Sequence, residues 1–527
     1  MSCFLIRVAI TTLFFIYLIE PAYGQQLADT TLQPVTVSGF KKDLLQKQAA
    51  PIAYLGPKTL QNYSPIDPVM AWNSLPGVNL EQRAISSYRV SIRGSALRSP
   101  FGVRNVKIYW NGFIFTEANG TTGLNLLSNL QMQEVEVIRG PSGSMYGAGM
   151  GGVIQINNFP ENNHGKLKIS LSSGSFGLFD GGFRHTVEKG KWSTHYNASF
   201  QRSDGYRDHN ALSRGVLQWS NSYRFNNRHL LELHSFYSDL YYEIPGGLTL
   251  QQLNEDPTMA RPGSAEQNAS IDQKTWFLGT SYQSFFTKNL SQQTHIGYTY
   301  TNFKNPFILD YKKDINNEIA IRQQWSYTID GQLDTDLQAG WEWQLADNQA
   351  KNFGNVNGKP DTIRFSDNLR IDRKIFFLQA QFNLNRWTLT AGASSNLLSY
   401  SVDRKVNAFA APFNFEREFD NEIVPRLAIQ YNWNDQNNTY ISISEGFSSP
   451  TLDEIRTNEG SINTMLQAER GTSYEIGHKY YGSRFNIDAS LFFLKLRETI
   501  TTRTNADGVV LFQNAGETNQ KGLELGA

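Results

Sequence analysis

The feature that most constrains this chain is a strict two-residue alternation of apolar and polar side chains over segments about ten residues long. Residues 192–201 show it most clearly, reading Trp-Ser-Thr-His-Tyr-Asn-Ala-Ser-Phe-Gln, and residues 376–384 and 485–491 repeat it. Because successive side chains of a β-strand point to opposite faces, this period puts one face in an apolar environment and the other in a polar one. Length and alternation together predict a transmembrane β-barrel with an apolar outside and a polar lumen.

The alternation continues from about Gly165 to the end of the chain, in about seventeen segments. A closed barrel is the structure that fits this pattern, since strands in lipid must pair every backbone polar group. A soluble β-sandwich or propeller also alternates, but the strands are long and no repeat of about 20–50 residues supports a propeller. Residues 385–386 form a tight turn, and long polar loops are predicted at 241–272, 304–318, 348–372, 402–422 and 446–470.

Composition excludes several other classes of protein. No run reaches the ~20 apolar residues of a membrane-spanning helix. The 48 Lys and Arg residues balance 48 Asp and Glu residues, so no basic field favours nucleic acid. A hydrophobic content of 40% excludes global disorder.

The N-terminus has the pattern of a secretory signal peptide spanning residues 1–24. Arg7 precedes the apolar run 8–19, and Ala22 and Gly24 form a small-residue cleavage site. An N-terminal anchor helix is the alternative, although the run is short for a membrane span. Cleavage removes Cys3, the only cysteine, so we expect an exported chain without disulfides or thiolate metal sites.

The mature chain divides into three predicted regions: an extended polar segment at 25–48, a compact mixed domain at 49–160 and the barrel at 161–527. In the mixed domain, Asp67–Leu75 has an N-capping aspartate, a proline at the first helical position and helical apolar spacing. Short β-strands are predicted at 89–93, 106–110, 135–138 and 153–156.

The sequence contains few motifs typical of catalysis or cofactor binding, and each has a simpler structural explanation. Residues 147–152 match G-x-G-x-x-G, but a strand follows them, and phosphate binding needs a helix N-terminus. We interpret these glycines as turn residues, and His195 and His234 as polar side chains facing the lumen rather than metal or haem ligands. No paired nucleophile and base is recognisable, so we expect no enzyme activity.

Several segments resemble the TonB-dependent outer-membrane receptors, in which an N-terminal α/β plug sits inside a barrel of about 22 strands. Residues 91–94, 106–112 and 134–147 are similar to successive plug motifs, although Asn111 replaces the usual aspartate. The barrel segments 444–450, 474–477 and 522–524 are also similar to family elements. The implied fold is mostly β, with an α/β plug inside a transmembrane antiparallel barrel in the bacterial outer membrane.

The resemblance implies an active importer whose partners are outer-membrane lipid, a scarce ligand and TonB with its proton-driven inner-membrane complex. TonB would bind the TonB box, for which β-strand addition is suitable. The residues that match the box are Pro34, Val35, Thr36, Val37 and Ser38. The residues that match the family's plug-to-barrel ion pairs are Arg93 and Arg139 in the plug and Glu475 and Glu524 in the barrel.

The ligand expected from the resemblance is a ferric siderophore or ferric citrate, because residues 244–262 resemble a loop of ferric dicitrate-type receptors. Such chelates are anionic, so Arg98 and Arg104 are candidate contacts at the plug apex. No cofactor or resident metal is expected, and iron would be carried only as the bound chelate. Alternatives are import of cobalamin or another scarce small nutrient or, in a different class, a passive porin or adhesin.

The chain stops at Ala527, soon after residues 522–524, where members of the family continue for several strands. An open sheet in lipid leaves unpaired edges. We therefore expect this sequence to be part of a longer product.

Overall fold

A computed structural model of the chain describes residues 35–40, 43–64, 66–95, 102–158, 167–456, 462–504 and 510–527. The predicted signal peptide, Pro34 of the predicted TonB box and Arg98 lie outside these described residues. Most of the described chain is β-strand, arranged as an N-terminal domain that one large sheet surrounds. We call the N-terminal domain, residues 43–158, the plug and the large sheet the barrel wall.

Short strands build the N-terminal part. Their bounds are β1 Thr36–Val37, β2 Asp43–Leu44, β3 Ile52–Leu55, β4 Val78–Gln82, β5 Tyr88–Ile92, β6 Val103–Arg104, β7 Val106–Trp110, β8 Phe113–Ile114, β9 Thr121–Thr122, β10 Glu134–Arg139 and β11 Gly152–Asn157.

Long strands build the barrel wall and its connections. Their bounds are β12 Leu167–Ser173, β13 Phe179–Lys189, β14 Trp192–Ser203, β15 Leu212–Asn226, β16 His229–Glu243, β17 Ser270–Phe285, β18 Leu290–Pro306, β19 Asp310–Ile329, β20 Asp334–Val356, β21 Lys359–Leu384, β22 Trp387–Asn407, β23 Phe413–Glu418, β24 Glu422–Asn434, β25 Asn437–Ser448, β26 Glu469–Tyr481, β27 Asn486–Arg497, β28 Ile500–Thr504, β29 Val510–Asn514 and β30 Glu517–Gly526.

The helices are short. The α-helices are α1 Pro57–Asn62, α2 Val69–Asn73, α3 Gly143–Tyr146, α4 Leu250–Glu255 and α5 Leu452–Ile455, and 3-10 turns occupy Leu45–Lys47, Leu124–Leu126 and Asn129–Gln131. Among the described residues, none of these helices has both the length and the apolar character that a membrane crossing requires.

The plug is organised around a five-stranded sheet in the order β3-β10-β11-β7-β8. Strand β10 pairs antiparallel with β3 and β11, and β7 runs parallel to β11. Each predicted plug strand is present within one residue at either end. The predicted helix is also present, but it begins at Val69, where the Asp67 carboxylate accepts a hydrogen bond from the Val69 N–H at 2.9 Å.

The barrel wall is a sheet of 17 strands in which sequential strands pair antiparallel from β12 to β27, and β30 then pairs with β27. This agrees with the predicted number. The polarity of the wall is inverted relative to a soluble protein, with apolar side chains outside and polar ones inside, as the alternation predicts. Leu378 is 59% exposed on the outside, whereas its neighbour Gln379 is 3% exposed and faces the plug. His195 and His234 are likewise buried on the lumen side, which is their predicted place.

Two of the predicted loops are wrong. Residues 304–318 and 348–372 are mostly strand, because β18 pairs with β19 to Pro306 and β20 pairs with β21 to Val356. Alternation is required only where one face contacts lipid. Beyond that zone both faces contact water or protein, yet the backbone N–H and C=O groups still pair across the ladder.

The remaining predicted loops are shorter than expected, because strands occupy their ends. The connections that remain between strands are 244–269, which carries α4, 408–412, and 449–468. All three lie at one end of the wall, the long-loop end. Turns of two to four residues close the other end, the short-turn end.

Aromatic side chains dock the plug against the wall on one side. The ring centroid of Trp110 lies 5.3 Å from that of Phe236 and 5.6 Å from that of Phe277. Next to it Gly112 has a φ of +80°, and a Cβ there would come within 2.6 Å of the His295 ring. Gly112 therefore permits both the turn and the close approach.

The inverted wall makes a prediction about insertion into lipid. Replacing outward-facing Leu378 with Lys should destabilise the inserted protein by about 2–4 kcal/mol if the residue lies near the bilayer midplane. The matched control is Gln381→Lys on the lumen-facing side of the same strand, which should insert like the parent. Protease resistance after refolding into lipid vesicles measures the difference, and equal insertion of both variants would contradict this orientation.

Candidate functional site: the contacts between plug and barrel wall

A tight turn after β5 directs Arg93 out of the plug. Arg93 has a φ of +51° and Gly94 a φ of +77°, and the Arg93 N–H donates to the Gly77 carbonyl at 2.8 Å. An arginine in the left-handed region is uncommon, so surrounding contacts must hold this conformation. Those contacts come from the barrel wall.

Two wall glutamates bind the Arg93 guanidinium. Its Nη1 lies 2.6 Å from Glu475 Oε2, while Nε and Nη2 donate to the two Glu524 oxygens at 2.9 and 2.8 Å. The bidentate pair with Glu524 is the strong geometry for an arginine and a carboxylate. Burial lowers the pKa of Arg93, but the Glu475 and Glu524 carboxylates outweigh this effect and raise it above its ordinary value.

Arg139 completes the group. Its Nη1 lies 2.9 Å from Glu524 Oε2, and its Nη2 lies 3.3 Å from Asp488 Oδ1. The structure thus brings together all four residues that the family resemblance singled out, and it adds Asp488. We call Arg93, Arg139, Glu475, Glu524 and Asp488 the arginine–glutamate cluster.

Neighbouring groups fix the two glutamates. The Tyr440 hydroxyl donates to Glu475 Oε1 at 2.5 Å, and the Ser490 hydroxyl donates to Glu524 Oε2 at 3.1 Å. Gly77 is required for the close approach, because a Cβ at this position would lie 2.0 Å from Glu524 Oε1. Tyr440 and Gly77 were not among the predicted residues, whereas Asp488 and Ser490 lie on the polar face of the alternating segment 485–491.

A second plug-to-wall cluster was not predicted. Lys107 lies in β7, which is buried throughout, and its ammonium donates to Glu342 of the wall and, at 2.7 Å, to the Tyr146 carbonyl. Burial lowers the pKa of Lys107 to about 8 despite the attraction of Glu342. A lysine inside an otherwise apolar strand was the available signal, since a buried ammonium needs a partner.

Glu342 also binds Arg322 and accepts a hydrogen bond from the Tyr109 hydroxyl at 2.6 Å. One carboxylate therefore serves two cations. Aromatic faces surround the arginine, whose guanidinium carbon lies 4.6–5.4 Å from the ring centroids of Tyr109, Tyr146 and Phe377. Such faces stabilise a cation without adding a full negative charge.

The described part of the predicted TonB box, residues 35–38, is folded against the plug. Thr36–Val37 pairs with Asp43–Leu44, and Val37 is 1% exposed. The Glu136 carboxylate accepts hydrogen bonds from the Ser38 and Gly39 N–H groups at 2.8 and 3.3 Å. The sequence suggested an extended tail, but Val37 buries apolar surface in a cluster that also includes Tyr146.

Arg104 lies at the long-loop end of the plug, but it is buried. Its guanidinium nitrogens lie 3.5 Å from Asp453 and 3.5 Å from Glu454, which belong to α5 in the loop after β25. The Tyr400 hydroxyl holds this loop down by donating to the Pro450 carbonyl at 2.8 Å. Direct contact of Arg104 with a ligand stays a prediction, and it requires the loop to move.

A small cavity lies beneath this loop, between plug and wall. Glu117, Gln344, Arg373, Ser449 and Thr451 are among the residues that line it. Burial raises the pKa of Glu117 to about 8, and the nearby Glu318 carboxylate adds to the effect. Glu117 is therefore mainly protonated and neutral at pH 7. Among the described residues, no group of three or more His, Cys, Asp or Glu side chains is arranged to hold a metal ion.

Two family models match the chain. Residues 45–153 match the TonB-dependent receptor plug domain, and residues 170–527 match the TonB-dependent receptor-like β-barrel. A vitamin B12 transporter, BtuB of Vibrio vulnificus, is 26% identical over 211 residues. That match covers 37% of this chain and only 31% of the transporter.

Solved structures share the fold at low sequence identity. The unliganded ferric citrate transporter FecA has a TM-score of 0.76 at 15% identity, over 91% of this chain and 74% of that one. The siderophore receptor PiuA of Acinetobacter baumannii has a TM-score of 0.74 at 15% identity, with coverage of 94% and 79%. The ferric-catecholate import receptor Fiu of E. coli has a TM-score of 0.72 at 16% identity, over 95% of this chain and 79% of that one.

The second family model alone covers more than half of the chain, and the first covers the domain that lies inside the barrel wall. The chain therefore belongs to the TonB-dependent receptors, a family of outer-membrane receptors and transporters that are not enzymes.

Proposed function

We propose that this protein actively imports a ferric siderophore or ferric citrate across the bacterial outer membrane. The observation that carries the proposal is the plug itself. Ion pairs hold it inside the barrel wall, and residues 35–38 of the predicted TonB box are folded against it. The ligand class is supported by the fold neighbours that transport ferric citrate or bind siderophores. In this mechanism iron is cargo, carried only within the chelate.

The arginine–glutamate cluster suits a plug that must shift without unfolding. Breaking a buried apolar interface would expose hydrophobic surface, whereas separated ion pairs in a polar lumen can be rehydrated. We assign Arg93 and Arg139 the role of locking the plug to Glu475 and Glu524. TonB would add to the box through main-chain hydrogen bonds, with the proton gradient acting through its inner-membrane complex.

At the other end, the ligand would bind where the plug apex meets the long loops. Arg373 lines the cavity there and supplies positive charge, with its guanidinium donating to the Ala118 carbonyl at 3.1 Å. Arg104 becomes a second cationic contact once the loop carrying α5 moves away. A neutral Glu117 avoids repelling an anionic chelate.

Cobalamin is the second candidate ligand, favoured by the similarity to the vitamin B12 transporter. Two strains distinguish these ligands: one that carries the receptor and one from which its gene is deleted. Their growth is compared on single iron chelates and on limiting cobalamin. Loss of growth only on cobalamin would replace the iron proposal.

Deleting residues 34–38 should abolish energy-dependent uptake of the labelled ligand while leaving its binding to whole cells unchanged. The reason is that the box transmits force and does not contact the ligand. Uptake and binding of ⁵⁵Fe-chelate at equal receptor levels measure the two effects. Unchanged uptake would contradict TonB coupling and favour the passive-porin alternative.

Replacing Glu475 and Glu524 together by Gln should loosen the plug, since breaking a buried pair leaves arginine charge uncompensated at a cost of about 3–5 kcal/mol. The expected result is increased influx of small antibiotics that the parent excludes. Glu81→Gln is the matched control, because Glu81 pairs with Arg89 at a more exposed site within the plug. Equal permeability of all three proteins would contradict the lock.

Ligand binding should weaken as the pH rises through about 8, because Glu117 then loses its proton and repels an anionic chelate. Glu117→Gln keeps a neutral side chain of similar size, so its affinity should change less between pH 7 and pH 9. The affinity is measured by titrating the purified parent and variant receptors with the ferric chelate at each pH. Because both receive the same chelate, the comparison corrects for changes in the chelate itself. Identical pH dependence in both proteins would show that Glu117 is not near the ligand.

A further inference from the structure

Residues 45–50 join the predicted TonB box to the first strand of the plug sheet and lie against the barrel wall. The segment begins with a single 3-10 turn, Leu45–Lys47, so its carbonyl groups need partners from elsewhere. Five of its six carbonyls accept hydrogen bonds from wall side chains. We call residues 45–50 the anchor segment.

Lys479 of β26 makes most of these contacts. Its ammonium donates to the carbonyls of Leu45, Gln48 and Ala50 at 3.2, 2.9 and 2.7 Å. An ammonium has three N–H donors, so the three carbonyls satisfy it completely. Lys479 is 0% exposed. Asp488 lies directly across the β26–β27 ladder and attracts its charge, as Glu475 does, but neither forms an ion pair with it among the described residues.

Two neighbouring strands supply the other donors. Asn438 of β25, directly opposite Lys479 in the ladder, donates to the Gln46 carbonyl at 2.5 Å. Arg426 of β24 donates to the Ala49 carbonyl, and its guanidinium lies 4.1 Å from the centroid of the Phe40 ring. Glu475 attracts the charge of Arg426 from a greater distance, and the direct contacts described for this guanidinium are with the anchor segment and with a residue just after the box.

A buried cation is costly unless its hydrogen-bond donors are satisfied, even where carboxylates attract it from a greater distance. The wall therefore places the side chains of Lys479 and Arg426 where carbonyl groups of the anchor segment accept their hydrogen bonds. All of the bonds go to the main chain, so the site recognises the folded backbone of this segment rather than particular side chains.

We propose that Arg426, Asn438 and Lys479 form a binding site in the barrel wall for the main chain of residues 45–50, which must leave this site before a pull on the TonB box reaches the plug sheet. The pulling step rests on the proposed function, whereas the site itself does not. Once released, the six residues could extend to a total span of about 20 Å between box and plug sheet.

The experiment uses the purified full-length receptor without TonB or chelate. In a Cys3→Ser background, Leu45→Cys gives a buried reporter thiol and Lys47→Cys an exposed reference thiol two residues away. Labelling with a maleimide-polyethylene glycol reports how often the segment leaves the wall. Lys479→Met should raise the labelling rate at position 45 about tenfold and leave that at position 47 unchanged, and Lys479→Arg should remain closer to the parent.

The matched control is Lys495→Met on the adjacent strand, where Lys495 pairs with Glu517 away from the segment. It should label like the parent. An unchanged labelling rate at position 45 in Lys479→Met would overturn the proposal.

A Val137→Cys reporter in the centre of the plug sheet shows whether the plug stays folded. If the thiol at position 137 becomes reactive in Lys479→Met, that variant has disturbed the plug itself. The site is then tested with Asn438→Ala, which removes one hydrogen-bond donor without changing the charge. Faster labelling at position 45 in that variant supports the site, and an unchanged rate overturns it. None of these outcomes depends on uptake, so failure of the site and failure of import are separately visible.

Discussion

Pairing of buried charge between plug and wall is the interaction on which the rest of the structure depends. Arg93 and Arg139 are excluded from water inside the lumen, and Glu475, Glu524 and Asp488 compensate them. Lys107 depends on Glu342 in the same way. Because an unpaired charge at either site is strongly unfavourable, these pairs define one position of the plug inside the barrel.

The inverted wall makes such a polar interface possible. Its apolar residues face outward, so the lumen offers Ser, Gln, Glu and Arg side chains to the plug. The plug has an apolar core around its five-stranded sheet, which continues into the wall only at Phe236 and Phe277 among the residues of this cluster. A movement of the plug would exchange most of its polar wall contacts for water, but it would also have to separate Trp110 from the rings of Phe236 and Phe277.

The two ends of the plug are held differently. At the short-turn end, Glu136 holds the end of the predicted TonB box and three wall side chains hold the anchor segment, all through backbone groups. At the long-loop end, Arg104 is held by side chains of a loop helix. Main-chain bonds tolerate sequence change, whereas the charged contacts at the apex can respond to an anionic ligand.

The sequence by itself determined the features that depend on local pattern: the number and inverted polarity of the wall strands, the plug strands, and, through family motifs, every residue of the arginine–glutamate cluster except Asp488. Only the tertiary structure decided the rest. Lys107 meets Glu342 across 235 residues. Residues 348–372 pair as strands although Leu369 and Ile371 there point inward. Arg104 is covered by a distant loop. The anchor segment left no signal, because its bonds use carbonyl groups that every residue carries.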